Sequence, residues 1–114
     1  MALEIVLRHP AAGIAVLAIN GEVDMGSASQ LRDQLTPIIA SGAGVVVVDL
    51  SKVSYMDSSG IATLVEGLQS SMKRGITFRL SDLNSAVLDV FKLARLDSVF
   101  KVYDTTEAAV DDQP

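Results

Sequence analysis

The spacing of hydrophobic positions changes several times along the chain, and each change predicts an element. Leu3 to Arg8 and Gly13 to Ile19 are short runs rich in branched residues, joined by His9-Pro10-Ala11-Ala12-Gly13, which suits a connection between antiparallel neighbours. After Asn20-Gly21-Glu22-Val23-Asp24, the apolar positions Ala28, Leu31, Leu35, Ile38 and Ile39 define one helix face, with Ser27 as its nearer cap. Pro37 lies inside that pattern and predicts a bend or loosened turn before the stop at Ser41-Gly42. Val45 to Val48, followed by Asp49 and Leu50, is a strand buried on both faces. Ile61, Leu64, Val65, Leu68 and Met72 then recur at intervals of three and four, predicting a helix from about Ser58 to Lys73 closed by Arg74-Gly75.

Ile76, Phe78 and Leu80 alternate with Thr77 and Arg79, which predicts a strand more exposed on one face than 45–49. Asp82 to Asn84 can start a third helix, with Val87, Phe91 and Ala94 on its apolar face and Leu88 and Val90 alongside. Val99 to Tyr103 reads as the last strand. Thr105 or Thr106 then caps a short final helix through Val110, and Asp111 to Pro114 read as a disordered tail beyond a domain of residues 1–110. The order β-β-α-β-α-β-α-β-α predicts an α/β fold. Its mixed sheet of four or five strands begins with an antiparallel pair, continues in parallel, and carries about four helices mainly on one face.

Composition narrows the function classes. At 114 residues the chain is one domain; without cysteine and with His9 as its one histidine, it offers no thiolate or histidine metal site. Nine basic against fourteen acidic side chains, with no basic stripe, argue against direct nucleic-acid binding. No stretch reads as a signal peptide or a membrane span, so a cytoplasmic location without membrane insertion is the expectation.

The candidate chemistry sits at Asp57-Ser58-Ser59-Gly60, the junction between the buried strand and its following helix. One short polar side chain suffices to cap a helix, and this junction supplies three before a glycine that permits close approach to the backbone. Ser58 has no base beside it in sequence, so a Ser-His-Asp hydrolase is not supported. No P-loop or dinucleotide fingerprint occurs. A metal-dependent enzyme built on Asp24 and Asp57 is the alternative from another class. What remains is a hydroxyl at a helix N-terminus among acidic neighbours, a surface that another protein can read or modify. The predicted partner-binding surface comprises Asp24, Met25, Met56, Asp57, Ser58, Ser59, Gly60 and the helix near Thr63.

The chain resembles the bacterial anti-sigma-factor antagonist family, whose fold is the STAS domain. The resemblance rests on Gly21-Glu22-Val23-Asp24, on VVVVDLSKVSYMDSSG with the helix after it, on LSDLNSAVLDVFKLARLDSVFKVY, and on the Thr105 to Val110 turn. It implies that Ser58 is the phosphorylated serine, with Asp57 as the motif aspartate and Asp24 as the family aspartate near it. It further implies that the unphosphorylated domain binds an anti-sigma factor with serine kinase activity and so releases the sigma factor. It implies, too, a phosphoserine phosphatase that resets the switch. No catalytic residue and no cofactor belong to this reading. Ala62 is a departure, since many members carry a second glycine there. The resemblance also permits an accessory subunit docked on a transporter or larger complex, without phosphorylation control.

Overall fold

The computed structural model describes residues 3–113. A five-stranded sheet runs in the order β1-β2-β3-β4-β5. The hairpin of β1 (Glu4–Ala11) and β2 (Ile14–Val23) is antiparallel. Helix α1 (Ala28–Ala40) then leads to β3 (Val45–Met56), α2 (Ser58–Lys73) to β4 (Thr77–Ser81), and α3 (Ser85–Leu93) to β5 (Lys101–Tyr103). Each of β3, β4 and β5 pairs in parallel with its predecessor, because each returns through a helix. A last helix, α4 (Thr106–Asp111), follows β5.

Side-chain alternation divides the core between the two faces of the sheet. On one face, Ala15, Leu17, Ile19, Val46, Val48, Leu50, Phe78 and Leu80 pack with Leu31, Leu35, Leu64, Val87 and Phe91 from α1, α2 and α3. On the other, Val16, Val45 and Val47 meet Ala109 of α4. The second face is therefore covered only in part, by a helix of six residues.

Several elements differ from the pattern prediction. The β1–β2 pairing continues to Ala11 and Ile14 with a register shift after Arg8, which leaves Ala12-Gly13 as the turn in place of a longer connection. Pro10 falls in that irregularity on an edge strand, where a missing N–H does little harm. Helix α1 runs unbroken through Pro37. The proline stands in the last turn, so the helix ends at Ala40 soon after the bond it lacks to Asp33. Strand β3 extends to Met56, past the apolar run, through two register shifts against β2. β5 begins at Lys101, after a 3₁₀ turn at Leu96–Ser98. Ala94 lies just past α3 and is exposed, leaving Val87 and Phe91 as its buried face.

Strand β4 is the clearest correction. Phe78, Arg79, Leu80 and Ser81 are all buried, so the face carrying Arg79 is not exposed. Arg79 donates from Nη1 to the carbonyls of Ala109 and Asp112, both at 2.8 Å, and from Nη2 to that of Gln113 at 3.3 Å. Its guanidinium lies 5.2 Å from the centre of the Tyr103 ring. The Tyr103 hydroxyl in turn donates to the Asp112 carboxylate, so Asp112 and Gln113 are held against the sheet instead of hanging free. Pro114 lies outside the described residues. At the other end of α4, the Asp82 carboxylate accepts from the Thr106 N–H and hydroxyl, each at 2.9 Å.

Candidate functional site

The last register pair of β2 and β3 is Val23 opposite Met56. Because the two strands are parallel, Asp24 and Asp57 leave the sheet side by side, one residue beyond that pair. The Asp57 N–H donates to the Val23 carbonyl at 3.1 Å, which fixes the start of α2 against the end of β2. Such corners beyond the carboxyl ends of parallel strands are where open α/β sheets present their sites.

Each acidic side chain is engaged within its own turn. Asp24 Oδ1 accepts from the Gly26 N–H at 2.9 Å, and the Asp24 N–H donates to Ser27 Oγ at 3.0 Å. Ser27 Oγ donates to the Glu22 carbonyl at 2.7 Å and makes no side-chain cap, although it holds the N-cap position of α1. The Asp24 carbonyl accepts from the Ser27 and Ala28 N–H groups instead. Asp57 is the true cap of α2: its Oδ1 accepts from the Ser59 N–H at 2.9 Å and from the Ser59 hydroxyl at 2.5 Å. The Ser59 hydroxyl holds the Asp57 carboxyl below the usual carboxylate range, opposed by partial desolvation and helped by the backbone N–H groups of Ser59, Gly60 and Met25. The Asp57 N–H on the Val23 carbonyl ties the two turns into one corner.

Ser58 is exposed at the first position of α2, and Asp24, Asp57 and Ser59 are half-buried around it. Met25 is 86% exposed. Three of the predicted surface residues point inward. Met56 is buried in the main core on the face of Val46, Val48 and Leu50, since the two one-residue shifts in β3 cancel by its position. Thr63 is buried and bonds back to the Ser59 carbonyl at 3.0 Å. Gly60 is buried too, and the close approach it allows comes from within the chain: an added Cβ would stand 2.7 Å from Val23 Cγ1 and 2.8 Å from Met56 Cγ. The free surface of the corner is thus Asp24, Met25, Asp57, Ser58 and Ser59.

Beside it lies a shallow groove of about 130 Å³ lined by Ser54, Tyr55, Met56, Ala86, Val87 and Val90. Tyr55 is half exposed there. The sequence reading did not select it, although an aromatic residue in a polar strand end is the kind of signal that marks a contact surface. Among the described residues no cluster of three or more His, Asp or Glu side chains could hold a metal ion. Nor is any described helix long and apolar enough to cross a membrane.

Fold and corner together define a small α/β domain with an exposed polar helix start beyond the carboxyl ends of its parallel strands. The model of the STAS domain matches residues 7–109, and the chain belongs to that family. It is 32% identical over 92 residues to the anti-sigma-B factor antagonist of Bacillus subtilis, covering 81% of this chain and 84% of that protein. It is 31% identical over 101 residues to the anti-sigma-F factor antagonist RsfB of Mycobacterium tuberculosis, covering 86% and 80%. The crystal structure of an anti-sigma factor antagonist from Mycobacterium paratuberculosis superposes with a TM-score of 0.87 at 25% identity, over 95% of this chain and 91% of that one. The domain is a regulatory, non-catalytic one of the anti-sigma-factor-antagonist, partner-switching kind.

Proposed function

We propose that this protein is an anti-sigma factor antagonist switched by phosphorylation of Ser58. Unmodified, it binds an anti-sigma factor that is also a serine kinase, and the sigma factor is released. Modified, it lets go until a phosphoserine phosphatase restores the hydroxyl. The observation that carries the reading is the exposure of Ser58 beside two serines and aspartates whose polar groups are already engaged. Ser59 is tied to Asp57 and Ser27 to Glu22, which leaves Ser58 as the accessible hydroxyl of the corner.

The physics of release follows from the same bonds. A phosphate brings a charge of about −1.5 to −2. A helix N-terminus ordinarily favours such a charge by roughly 0.3 to 1 kcal/mol. Here the Asp57 carboxylate already takes the Ser59 N–H, so the phosphate meets a carboxylate where it would otherwise find a donor. It therefore stays outward, the fold is kept, and the surface changes its meaning. A partner patch shaped for a neutral hydroxyl then has to bury a dianion, at a cost of several kcal/mol.

The test incubates the wild type and Ser58→Ala with the cognate anti-sigma factor and ATP, locates phosphate by mass spectrometry and measures complex formation. Phosphate should appear on Ser58 of the wild type alone. Ser58→Ala should stay folded and bound, while Ser58→Glu, with only one charge, should bind more weakly. Absence of phosphate from the wild type, together with unchanged affinity of Ser58→Glu, rejects the switch.

A further inference from the structure

Strand β1 ends the sheet, and among the described residues no strand pairs with its outer edge. An open edge is a row of unpaired N–H and C=O groups that another strand can take up, and soluble proteins usually blunt it. Here the blunting devices, Pro10 and the register shift after Arg8, sit at one end only. Glu4 to Arg8 remain regular, with Val6 61% and Leu7 45% exposed.

That segment reads Glu-Ile-Val-Leu-Arg, with opposite charges flanking three apolar residues. Glu4, Val6 and Arg8 lie on the sheet face shared with Asn20, Ala18 and Val16, while Ile5 and Leu7 share the face of Ile19 and Leu17. Turned antiparallel about Val6, the segment complements itself. Glu4 then faces Arg8 of the second copy at both ends, Ile5 faces Leu7, and Val6 faces Val6. Residues of like parity pair in this register, so it works whichever alternate set of backbone groups points outward. Sliding by two residues sets Glu4 against Val6 or Pro10, and a parallel pairing sets Glu4 beside Glu4. Charge complementarity selects one register.

We infer that the chain self-associates through the outer edge of β1, two copies joining antiparallel about Val6 into one continuous sheet. None of Asp24, Met25 or residues 57–59 takes part in the pairing. The dimer and the proposed switch can therefore fail independently.

Sedimentation velocity of the full chain over a range of concentrations tests this. The wild type should dimerise reversibly. Arg8→Glu, which places like charges together at both ends, should weaken association at least about tenfold, and Glu4→Arg combined with Arg8→Glu should restore it to within about threefold. Because the protein has no cysteine, Val6→Cys supplies a second readout: symmetric residues at the axis lie within disulfide reach. It should cross-link under mild oxidation much faster than Thr36→Cys on the exposed side of α1. A wild type that stays monomeric at the highest concentration, a charge swap that fails to restore association, or equal cross-linking of the two cysteine variants overturns the inference.

Discussion

Gly60 touches Val23 so closely that the helix start and the end of β2 leave no room for a methyl group: the added Cβ would lie 2.7 Å from Val23 Cγ1. The glycine of the motif thus sets how near the first turn of α2 approaches the sheet, and with it where Ser58 stands. Gly60→Ala should destabilise the domain by about 1 to 3 kcal/mol through overpacking, despite the better helix propensity of alanine. Urea denaturation measures it. A variant as stable as the wild type would show that Val23 and Met56 move aside without cost.

Arg79 is a buried cation whose nearest carboxylate oxygen, on Asp112, is 4.0 Å away. Its charge is met mainly by carbonyls at the end of α4. Arg79→Met keeps length and apolar contact but leaves those carbonyls without donors, and should cost about 1 to 3 kcal/mol. The loss should be local first: amide exchange should accelerate in residues 106–113 more than in β3. Unchanged protection there would mean that Ala109 and Val110 packing holds α4 by itself.

Arg79 also shows where the sequence stopped being legible. A charged residue between Phe78 and Leu80 signals solvent, and local periodicity holds no hint that a six-residue helix from the chain end will cover it. The branched run Val45–Val48 signalled the opposite, burial on both faces, and that signal was sound because Val45 and Val47 are the residues α4 packs upon. The antiparallel first pair, the parallel later strands and the place of Ser58 at the start of α2 followed from helix-return rules and long apolar spacings, whereas the spatial order of the strands did not. Met56 and Thr63 turn inward although both stand close to the polar motif. Met56 keeps the face of Val46, Val48 and Leu50, because the two one-residue shifts in β3 cancel by its position, and Thr63 lies on the side of α2 beside Leu35 and Thr36 of α1, a helix contact that local spacing does not reveal.

Met25 is a large apolar side chain left 86% exposed in the turn beside Asp57. It has no packing role to lose. Met25→Ser should change stability by no more than about 0.5 kcal/mol, yet weaken binding to the anti-sigma factor by roughly tenfold if this corner is the contact surface. Calorimetric titration of the two proteins decides. Full affinity in Met25→Ser would move the contact toward the groove beside Tyr55.

The pair Ser59 and Asp57 gives the last prediction, which joins pH and modification. The Asp57 carboxyl titrates below the ordinary Asp value of about 3.9, chiefly because the Ser59 hydroxyl donates to it. A depressed folded-state value means that the ionised form is bound more favourably in the folded protein. This contribution is present above the unfolded value and is lost as pH falls through the folded one. Ser59→Ala removes the first cause and keeps the backbone donors, so the Asp57 carboxyl should titrate higher, closer to its ordinary value, when followed by carbon-detected NMR. The fall in stability below about pH 4 should become shallower for the same reason. Ser58 keeps its exposure in this variant, and kinase with ATP should still place phosphate on it. An unchanged Asp57 titration would show that backbone N–H groups alone depress it; loss of phosphate from Ser59→Ala would assign the modified hydroxyl to Ser59, against the reading of Ser58 as the switch.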